Sequence, residues 1–563
     1  MQETRHGTSV GERVASGTET ACFALRSSKH ARMMRLTLNQ ALACCVRATP
    51  DSPAIMHGTQ TLSYAQFDLE VRRLAQGFAD CGISAGDRVA LWLPSIPAWL
   101  TSFFALARLG AVAVATNTRF RALEVTDLFS RAGISALVWC PDYRGIDFRD
   151  ILREVQPGVP SLHTLITCHE EAASPGQDAP AAAAFAGLRE IPYETLGAAA
   201  PYARDDAAPD AVCAIQTTSG STRKPKLVMQ AQGGMVEHAR DVGVAFGYTR
   251  TTSPVLNALP LSGTFGMTQA LACLLNGVPL ILQSTFDAQE AVGLMRRHRV
   301  ALGAMTDEMI RRIYEAAEDA VPFPGMELFT GSRADKLLEL GQRRGFRING
   351  VYGSTEAQAL FARGRDSDEP LQRTLGGGLP VSPHARVRAT DLDTGALLAH
   401  GQAGQLEFSS PSLTVGYYND PEANAAAFTA DGFFRTGDLG HTDADGGFRY
   451  LARLGDTLRL RGFLVSPTEI ESFIGAAAGV EHVQVVGADD RAGEPCAVAF
   501  YTTGPDATVA DHDLLHYCRQ GMASYKVPAR FIRVDEFPVI RSPNAVKIDR
   551  NALRQQAAAA LQT

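Results

Sequence analysis

Apolar residues recur along this chain in two alternating rhythms. Phe67, Val71, Leu74 and Phe78 stand four, three and four positions apart, the spacing of one buried helical face. Ser63 and Gln66 form a capping-box pair just ahead of them, so the pattern predicts an amphipathic helix that ends at Gly82. Continuous apolar runs follow at Arg88–Leu93, Ala111–Ala115 and Ala136–Trp139, each suited to a strand covered on both faces. Helix and strand patterns keep alternating in this way, which predicts an α/β layer structure.

The rhythm changes at three places. Residues 170–209 turn to Ala, Pro, Asp and Gly with little periodicity, as expected of a surface excursion between two subdomains. From about residue 390 to 452 short apolar runs alternate with Gly turns, as in Gly404-Gln-Leu-Glu-Phe408 and Gly447-Phe-Arg-Tyr450, predicting a small β subdomain. After Arg453 the pattern restarts: Ser466, Pro467 and Glu469 read as a capped helix start, and Val483–Gly487 and Cys496–Tyr501 read as strands. The predicted organisation is a disordered arm over 1–34, a large domain over 35–453, a hinge at 453–457, and an α+β domain over 457–563. The arm is polar and lacks an apolar period; Glu3, Glu12 and Glu19 argue against a transit peptide, and Met33 or Met34 is a candidate true start.

Composition narrows the class. With 563 residues the chain exceeds one core, and 45% hydrophobic with 20% charged residues describes a globular protein. Lys and Arg number 53 against 60 Asp and Glu, a net charge of −7, so nothing calls for nucleic acid. The ten cysteines form no C-x-x-C pair, a usage that suits a reducing compartment. No apolar run reaches the roughly 18 residues of a membrane span, and the expected location is the cytoplasm.

Candidate chemistry sits in five stretches. Ala211–Ile215 leads as a strand into Thr217-Thr-Ser-Gly-Ser-Thr-Arg-Lys-Pro-Lys226, where Thr217, Thr218, Ser219, Gly220, Ser221 and Thr222 offer hydroxyls and backbone N–H groups. Arg223, Lys224 and Lys226 add three cations, so the loop suits a polyphosphate. By itself it also fits a Ser/Thr-rich surface turn. It is not the G-x-x-x-x-G-K-[ST] loop, since no Lys-[ST] pair follows a second glycine. Val351-Tyr-Gly-Ser-Thr-Glu356 follows the strand-like Phe346–Asn349 and presents Tyr352, Thr355 and Glu356 in a Gly turn, a set able to hold a base, a phosphate and Mg²⁺. Phe434-Arg-Thr-Gly-Asp-Leu439 offers Asp438 as acceptor for a ribose diol. Arg453-Leu-Gly-Asp456 stands at the domain boundary, where Arg453 can reach a ribose or phosphate and Asp456 can serve as a pivot. Lys547 lies in Val546-Lys-Ile-Asp-Arg550. Each of these has a plain alternative: a solvated loop, a hairpin-turn carboxylate, a surface ion pair or a solvated lysine.

In order and spacing, these stretches resemble the superfamily of adenylate-forming enzymes: acyl-CoA synthetases, the adenylation domains of nonribosomal peptide synthetases, and firefly-type luciferases. The resemblance runs from about Leu36 to Leu553 and includes Gly86-Asp-Arg-Val89, Gly110-Ala-Val112, Asn117-Thr-Arg-Phe-Arg121, Gly416-Tyr-Tyr-Asn419, Pro421-Glu422 and Tyr525-Lys-Val-Pro528. It implies an α/β fold: a large domain of two α/β subdomains and a small β subdomain, then a small mobile C-terminal domain. It implies a two-step reaction with ATP, Mg²⁺ and coenzyme A, in which a carboxylate displaces pyrophosphate and a thiol then displaces AMP. It places Thr217–Lys226 on the β- and γ-phosphates, Tyr352 against adenine, Thr355 at the α-phosphate and Glu356 on Mg²⁺. Asp438 and Arg453 take the ribose, Gly462 joins the cofactor-binding set, and Lys547 bridges the carboxylate and the α-phosphate. The partners it implies are a small carboxylic acid and coenzyme A, with a homodimer left open beside the monomer.

Departures from the family pattern are specific. Arg223 and Leu227 stand where relatives commonly have Gly, and Gly263, in Pro260-Leu-Ser-Gly-Thr-Phe-Gly266, stands where many have an aromatic or His gate. Arg333 follows Gly331-Ser332 in the segment usually reading Gly-Gly-Ala-Pro, and Pro543-Asn-Ala-Val precedes Lys547 in place of Ser/Thr-Gly. A wall around Thr264, Phe265 and Met267 lacks the Asp that holds an ammonium in amino-acid-activating relatives, which favours an apolar acid. No carrier-protein domain follows Leu553, favouring coenzyme A over a peptide-synthetase role. A freestanding acyl-carrier-protein ligase and a non-catalytic nucleotide- or acyl-binding homologue are the alternatives.

Overall fold

The structure is a computed structural model that describes residues 35–169, 185–218, 225–317, 326–330, 335–454, 457–460, 463–491, 493–504, 507, 509–522, 526–542 and 545–562. The helix predicted from the first apolar rhythm spans Tyr64–Asp80, with the Ser63–Gln66 capping box formed in both directions. Phe67, Val71, Leu74 and Phe78 face the core as their spacing requires.

That core surrounds an eight-stranded sheet. Its spatial order is Gly416–Tyr417, Leu227–Ala231, Val212–Thr217, Val112–Ala115, Arg88–Trp92, Ala136–Trp139, Thr164–Thr167 and Arg189–Pro192. The pairings from Val212–Thr217 outward through Arg189–Pro192 are parallel, whereas Leu227–Ala231 runs antiparallel to both of its neighbours. Val112–Ala115 and Ala136–Trp139 are buried along their whole length, which is why they read as unbroken apolar runs.

A four-stranded sheet, in the order Val255–Asn257, Leu280–Leu282, Pro53–His57 and Gln60–Ser63, lies in the same large domain. A nine-stranded sheet completes it. Its order is Leu302–Ala304, Met326–Thr330, Phe346–Tyr352, Ala362–Arg363, Gly377–Pro380, Phe448–Arg453, Phe434–Thr442, Gly404–Ser409 and Arg386–Thr390. The strands of the predicted small β subdomain continue the parallel α/β part in one hydrogen-bonded surface. Two short strands make the join, and Gly378 permits it: its φ is +97°, and a Cβ there would lie 1.9 Å from the Arg363 carbonyl oxygen.

Residues after Arg453 build cores of their own. Leu458, Leu460, Ile470, Val485, Ala499 and Leu514 belong to one cluster. Val486, Val498, Phe500 and Leu553 belong to another, on the opposite face of a three-stranded sheet of Val480–Asp489, Pro495–Thr503 and Arg530–Arg533. Together with helices Pro467–Ile474, Asp511–Gly521 and Arg550–Gln562 this is the small α+β unit that the restart predicted.

Two local expectations fail. Ser466 precedes the Pro467 helix but makes no side-chain cap; its hydroxyl donates to Leu451 O at 3.3 Å, and the Glu469 carboxylate is taken by Lys526. Residues 185–209, expected as an excursion, instead add the strand Arg189–Pro192 to the sheet edge. They are stitched to neighbouring helices by Tyr202 N–H to Arg72 O and Asp206 N–H to Arg108 O, both 2.9 Å. A Pro-ended edge strand with one large apolar residue carries too little pattern to be seen. Residues 170–184 lie outside the described residues, as does the expected arm over 1–34. No helix among the described residues is long and apolar enough to cross a membrane.

Candidate active site

The Thr217–Lys226 stretch leaves the sheet from Val212–Thr217 and returns through Leu227–Ala231. Its two ends are latched: Thr218 N–H donates to Lys226 O, and Lys226 N–H donates to Thr218 Oγ1, both at 3.1 Å. Arg131 Nη1 adds a 2.8 Å bond to Pro225 O. Thr217 is the last strand residue and pairs with Leu227. Leu227, a departure from the family pattern, is 2% exposed and packs into the core, so it serves the strand and not the loop. Ser219, Gly220, Ser221, Thr222, Arg223 and Lys224 lie outside the described residues.

The second stretch begins inside the nine-stranded sheet. Tyr352 is the last residue of the strand Phe346–Tyr352, so its ring belongs to the sheet and not to the Gly turn expected for it. After the turn, Gln358, Ala359 and Leu360 all take left-handed φ values of 62°, 51° and 43°. Non-glycine residues in that region cost of order 1–3 kcal/mol each and persist only when neighbours over-determine them. The neighbours are visible. Thr268 Oγ1 donates to Gln358 O at 2.5 Å, the Gln358 amide to Ser412 O at 2.5 Å, and the Gln230 amide to Thr355 O at 2.8 Å. His238 Nε2 lies 2.8 Å from Ala359 O. A carbonyl only accepts, so His238 carries its proton on Nε2. Burial lowers its pKa from 6.5 to about 4, which leaves the ring neutral.

This bracing fixes Glu356. Its backbone carbonyl accepts from Thr414 N–H at 2.8 Å, and its Oε1 accepts from the Tyr417 hydroxyl at 2.9 Å. The same Tyr417 ring carries the Lys226 ammonium 4.3 Å from its centroid. The loop cation and the carboxylate assigned to Mg²⁺ therefore share one aromatic side chain. Among the described residues no group of three or more His, Cys, Asp and Glu is placed to hold a metal ion. A single half-buried carboxylate still suits Mg²⁺, which takes most of its ligands from phosphates and water.

Asp438 and Arg453 face each other across paired strands. Asp438 Oδ1 accepts from Arg453 Nη1 at 2.6 Å, while Oδ2 accepts from the Tyr352 hydroxyl. The Asp438 side chain is 5% exposed and that of Arg453 is 53% exposed. Burial pushes the Asp438 carboxyl up, against the opposing pull of Arg453 and Tyr352. Burial works against the Arg453 guanidinium as well, but Asp438 more than offsets it and the net direction is up. Tyr352 packs edge-on against Phe408 and Phe448 at 5.5 and 5.1 Å, which leaves it 8% exposed. Glu356 acts electrostatically on both Asp438 and Arg453, and Arg453 acts on Tyr417, so the two groups of side chains form one cluster.

Other expected residues are placed as follows. Gly263 stands just before the helix Thr264–Leu274 with φ −98°, an ordinary backbone conformation. Thr264 Oγ1 donates to Gln216 Oε1 at 3.1 Å, and Phe265 is partly buried. Met267, expected on a pocket wall, is 1% exposed and belongs to the main core, against which Phe265 also packs. Thr355 enters the hydrogen-bond network through its carbonyl. Lys547 lies in the hairpin strand Ala545–Ile548 opposite Ile540, and its side chain is not among those described. Arg333, Asp456 and Gly462 lie outside the described residues. Sequence reasoning missed Gln230, His238, Thr414 and Tyr417 as parts of the site. For Tyr417 a signal existed, since Gly416-Tyr-Tyr-Asn419 had been matched to a family motif without any chemistry attached.

A large α/β domain that gathers the Lys226 cation, a half-buried carboxylate and a buried Asp438 paired with a half-exposed Arg453, followed by a small α+β domain, is the setting for the comparison with known ligases. The AMP-binding enzyme family model matches residues 42–418, and the model of the AMP-binding enzyme C-terminal domain matches residues 469–543. The chain belongs to the AMP-binding enzyme family. It is 29% identical to YngI of Bacillus subtilis (strain 168) over 557 residues, 93% of this chain and 98% of that one. It is 28% identical to the long-chain-fatty-acid–CoA ligase FadD13 of Mycobacterium tuberculosis (strain CDC 1551 / Oshkosh) over 499 residues, 88% of this chain and 93% of that one. Among solved structures, ATP-bound MatB from Rhodopseudomonas palustris superposes with a TM-score of 0.78 at 24% identity, covering 93% of this chain and 100% of that one. That likeness shows the fold.

Proposed function

We propose that this AMP-forming acyl-CoA ligase activates an apolar carboxylic acid of medium-chain, alicyclic or aromatic type and passes the acyl group to coenzyme A. The observation that carries the reading is the meeting of residues from four separate stretches at one place: Lys226 and Glu356 share the Tyr417 side chain, and Glu356 acts electrostatically on the Asp438–Arg453 pair.

In the first step a carboxylate oxygen bonds to the α-phosphorus of ATP and the bond to the β-phosphate bridge oxygen breaks, releasing pyrophosphate. Two anions must approach, so catalysis rests on placement and on cations set in advance. Lys226 and the loop's hydroxyls bind the leaving phosphates. Asp438 receives the ribose hydroxyls, with Arg453 holding its carboxylate in place. Glu356 would hold Mg²⁺, which supplies further neutralisation of phosphate charge. Lys547 is assigned the reacting carboxylate and the α-phosphate oxygens. In the second step the thiol sulfur bonds to the acyl carbon, the acyl–phosphate oxygen bond breaks, and AMP leaves as the thiol proton passes to solvent. The C-terminal domain is proposed to turn about Asp456 between steps and to withdraw Lys547.

The acid class is supported by the sequence around Thr264 and Phe265, which lacks the Asp that holds an ammonium in amino-acid-activating relatives. The test is pyrophosphate release across short, medium, aromatic and alicyclic acids, with and without coenzyme A, and with holo-acyl-carrier protein as rival acceptor. Release with apolar acids and thioester formation on coenzyme A are expected. No release with any acid refutes catalysis, and transfer only to the carrier protein refutes the acceptor.

A further inference from the structure

Tyr417 is clamped more tightly than an edge strand of two residues requires. Gly416–Tyr417 pairs with Leu227–Ala231, the strand that leaves the phosphate loop. Asn424 closes on its backbone from the other side: Tyr417 N–H donates to Asn424 Oδ1 at 2.7 Å and Asn424 Nδ2 donates to Tyr417 O at 2.9 Å. Gly416 makes the approach possible, with φ +129° and a position where a Cβ would lie 2.7 Å from Asn424 Oδ1. Thr414 Oγ1 donates to Met229 O at 2.7 Å while Thr414 N–H holds Glu356 O at 2.8 Å. One short segment thus ties the loop strand to the Glu356 turn. Its one buried ring, 3% exposed, presents its face to Lys226 and its hydroxyl to Glu356.

Lys226 and Glu356 have opposite charges and a common neighbour, yet no direct ion pair between them occurs among the described residues. A direct pair would neutralise both groups and turn them away from a ligand. We propose that Tyr417 is a positioning residue that holds the Lys226 ammonium and the Glu356 carboxylate apart in one fixed arrangement, so that both stay directed at the phosphates and their divalent cation. This rests on the reading of the cluster as an ATP site. A carboxylate oxygen accepts, so the Tyr417 hydroxyl is the donor in its 2.9 Å contact with Glu356 Oε1.

The test uses the full chain. Tyr417→Phe keeps the ring under Lys226 and deletes only the contact to Glu356; Tyr417→Leu deletes both. Tyr417→Phe is expected to raise the Mg²⁺ concentration for half-maximal pyrophosphate release about tenfold, the loss of one hydrogen bond to a charged group, with the KM for the acid unchanged. By calorimetry it should weaken ATP binding with Mg²⁺ present and not without it. Tyr417→Leu should weaken ATP binding in both conditions. In a Glu356→Gln background Tyr417→Phe should shift nothing further. Equal weakening with and without Mg²⁺ in Tyr417→Phe, or additive effects of Tyr417→Phe and Glu356→Gln, overturns the proposal. A wild-type chain that binds no ATP in the same calorimeter overturns the nucleotide reading itself and the role of Tyr417 with it.

Discussion

Asp438→Asn separates what the buried carboxylate does for the fold from what it does for a nucleotide. The wild-type side chain is 5% exposed and accepts from Arg453 and Tyr352. Asn keeps one acceptor oxygen and removes the charge. Each contact weakens from about 1.5–3 kcal/mol, typical for a charged partner, to about 0.5–1.5 kcal/mol or is lost. Against this, a desolvated charge is removed, and Arg453 is exposed enough for water to solvate it. The expected change in unfolding free energy is therefore within about 1 kcal/mol. Ribose recognition has no such compensation: one hydroxyl contact is lost and the other weakened, about 2.5–4 kcal/mol together, or 10²–10³ in ATP affinity. Urea unfolding and calorimetric ATP titration measure the two quantities. The pH dependence adds a sign. Because burial raises Asp438, the folded state holds its proton more tightly than the unfolded chain. Its contribution to stability is full below the unfolded carboxyl pKa and is lost as pH rises through the folded one, so Asn gains on wild type across that window. Unchanged ATP affinity with more than about 3 kcal/mol of lost stability would refute the assignment and leave Asp438 purely structural.

Lys547→Ala should slow adenylation about 10²–10³-fold while thioester formation from supplied acyl-AMP survives; equal loss in both half-reactions refutes the domain rotation. Glu356→Gln should raise the Mg²⁺ requirement at least tenfold while moving the melting temperature by no more than about 2–4 °C, read by kinetics and thermal unfolding. His238, neutral with a pKa lowered from 6.5 to about 4, contributes stability that is full above 6.5 and lost as pH falls toward 4, roughly 3 kcal/mol at 1.4 kcal/mol per pH unit. His238→Phe should flatten that slope in acid-dependent unfolding. Gly266→Ala, whose Cβ would stand 2.4 Å from Pro260 O, should cost at least about 1–3 kcal/mol in urea unfolding.

What could be read without coordinates was what depends on near neighbours. The Ser63–Gln66 cap and the Phe67–Phe78 face are local in sequence, and both are present. The Thr217–Lys226, Asp438 and Arg453 stretches stand out because residue type and spacing carry chemistry. Their pairings were not legible: Tyr352 reaches Asp438 across 86 positions, and Glu356 reaches Tyr417 across 61, which no window reveals. Ser466 had the residues of a cap, but its hydroxyl donates to Leu451 O and accepts from no N–H of the helix, a tertiary orientation that the local pattern does not carry. Met267, grouped with Thr264 and Phe265 in the sequence, lies in the main core at 1% exposed, a burial that its place in the sequence does not reveal.

The position of Phe448–Arg453 in the nine-stranded sheet governs how this molecule can be made. That strand is inserted between Gly377–Pro380 and Phe434–Thr442, so it joins two halves of the surface that both precede it in the chain. On the ribosome, both halves wait with bare edges until residue 453 has emerged. Arg453, the last residue of the inserted strand, is also the partner of Asp438. The nascent chain therefore completes the Asp438–Arg453 pair in the same event that seals its exposed backbone, and a protein stalled short of that strand lacks both.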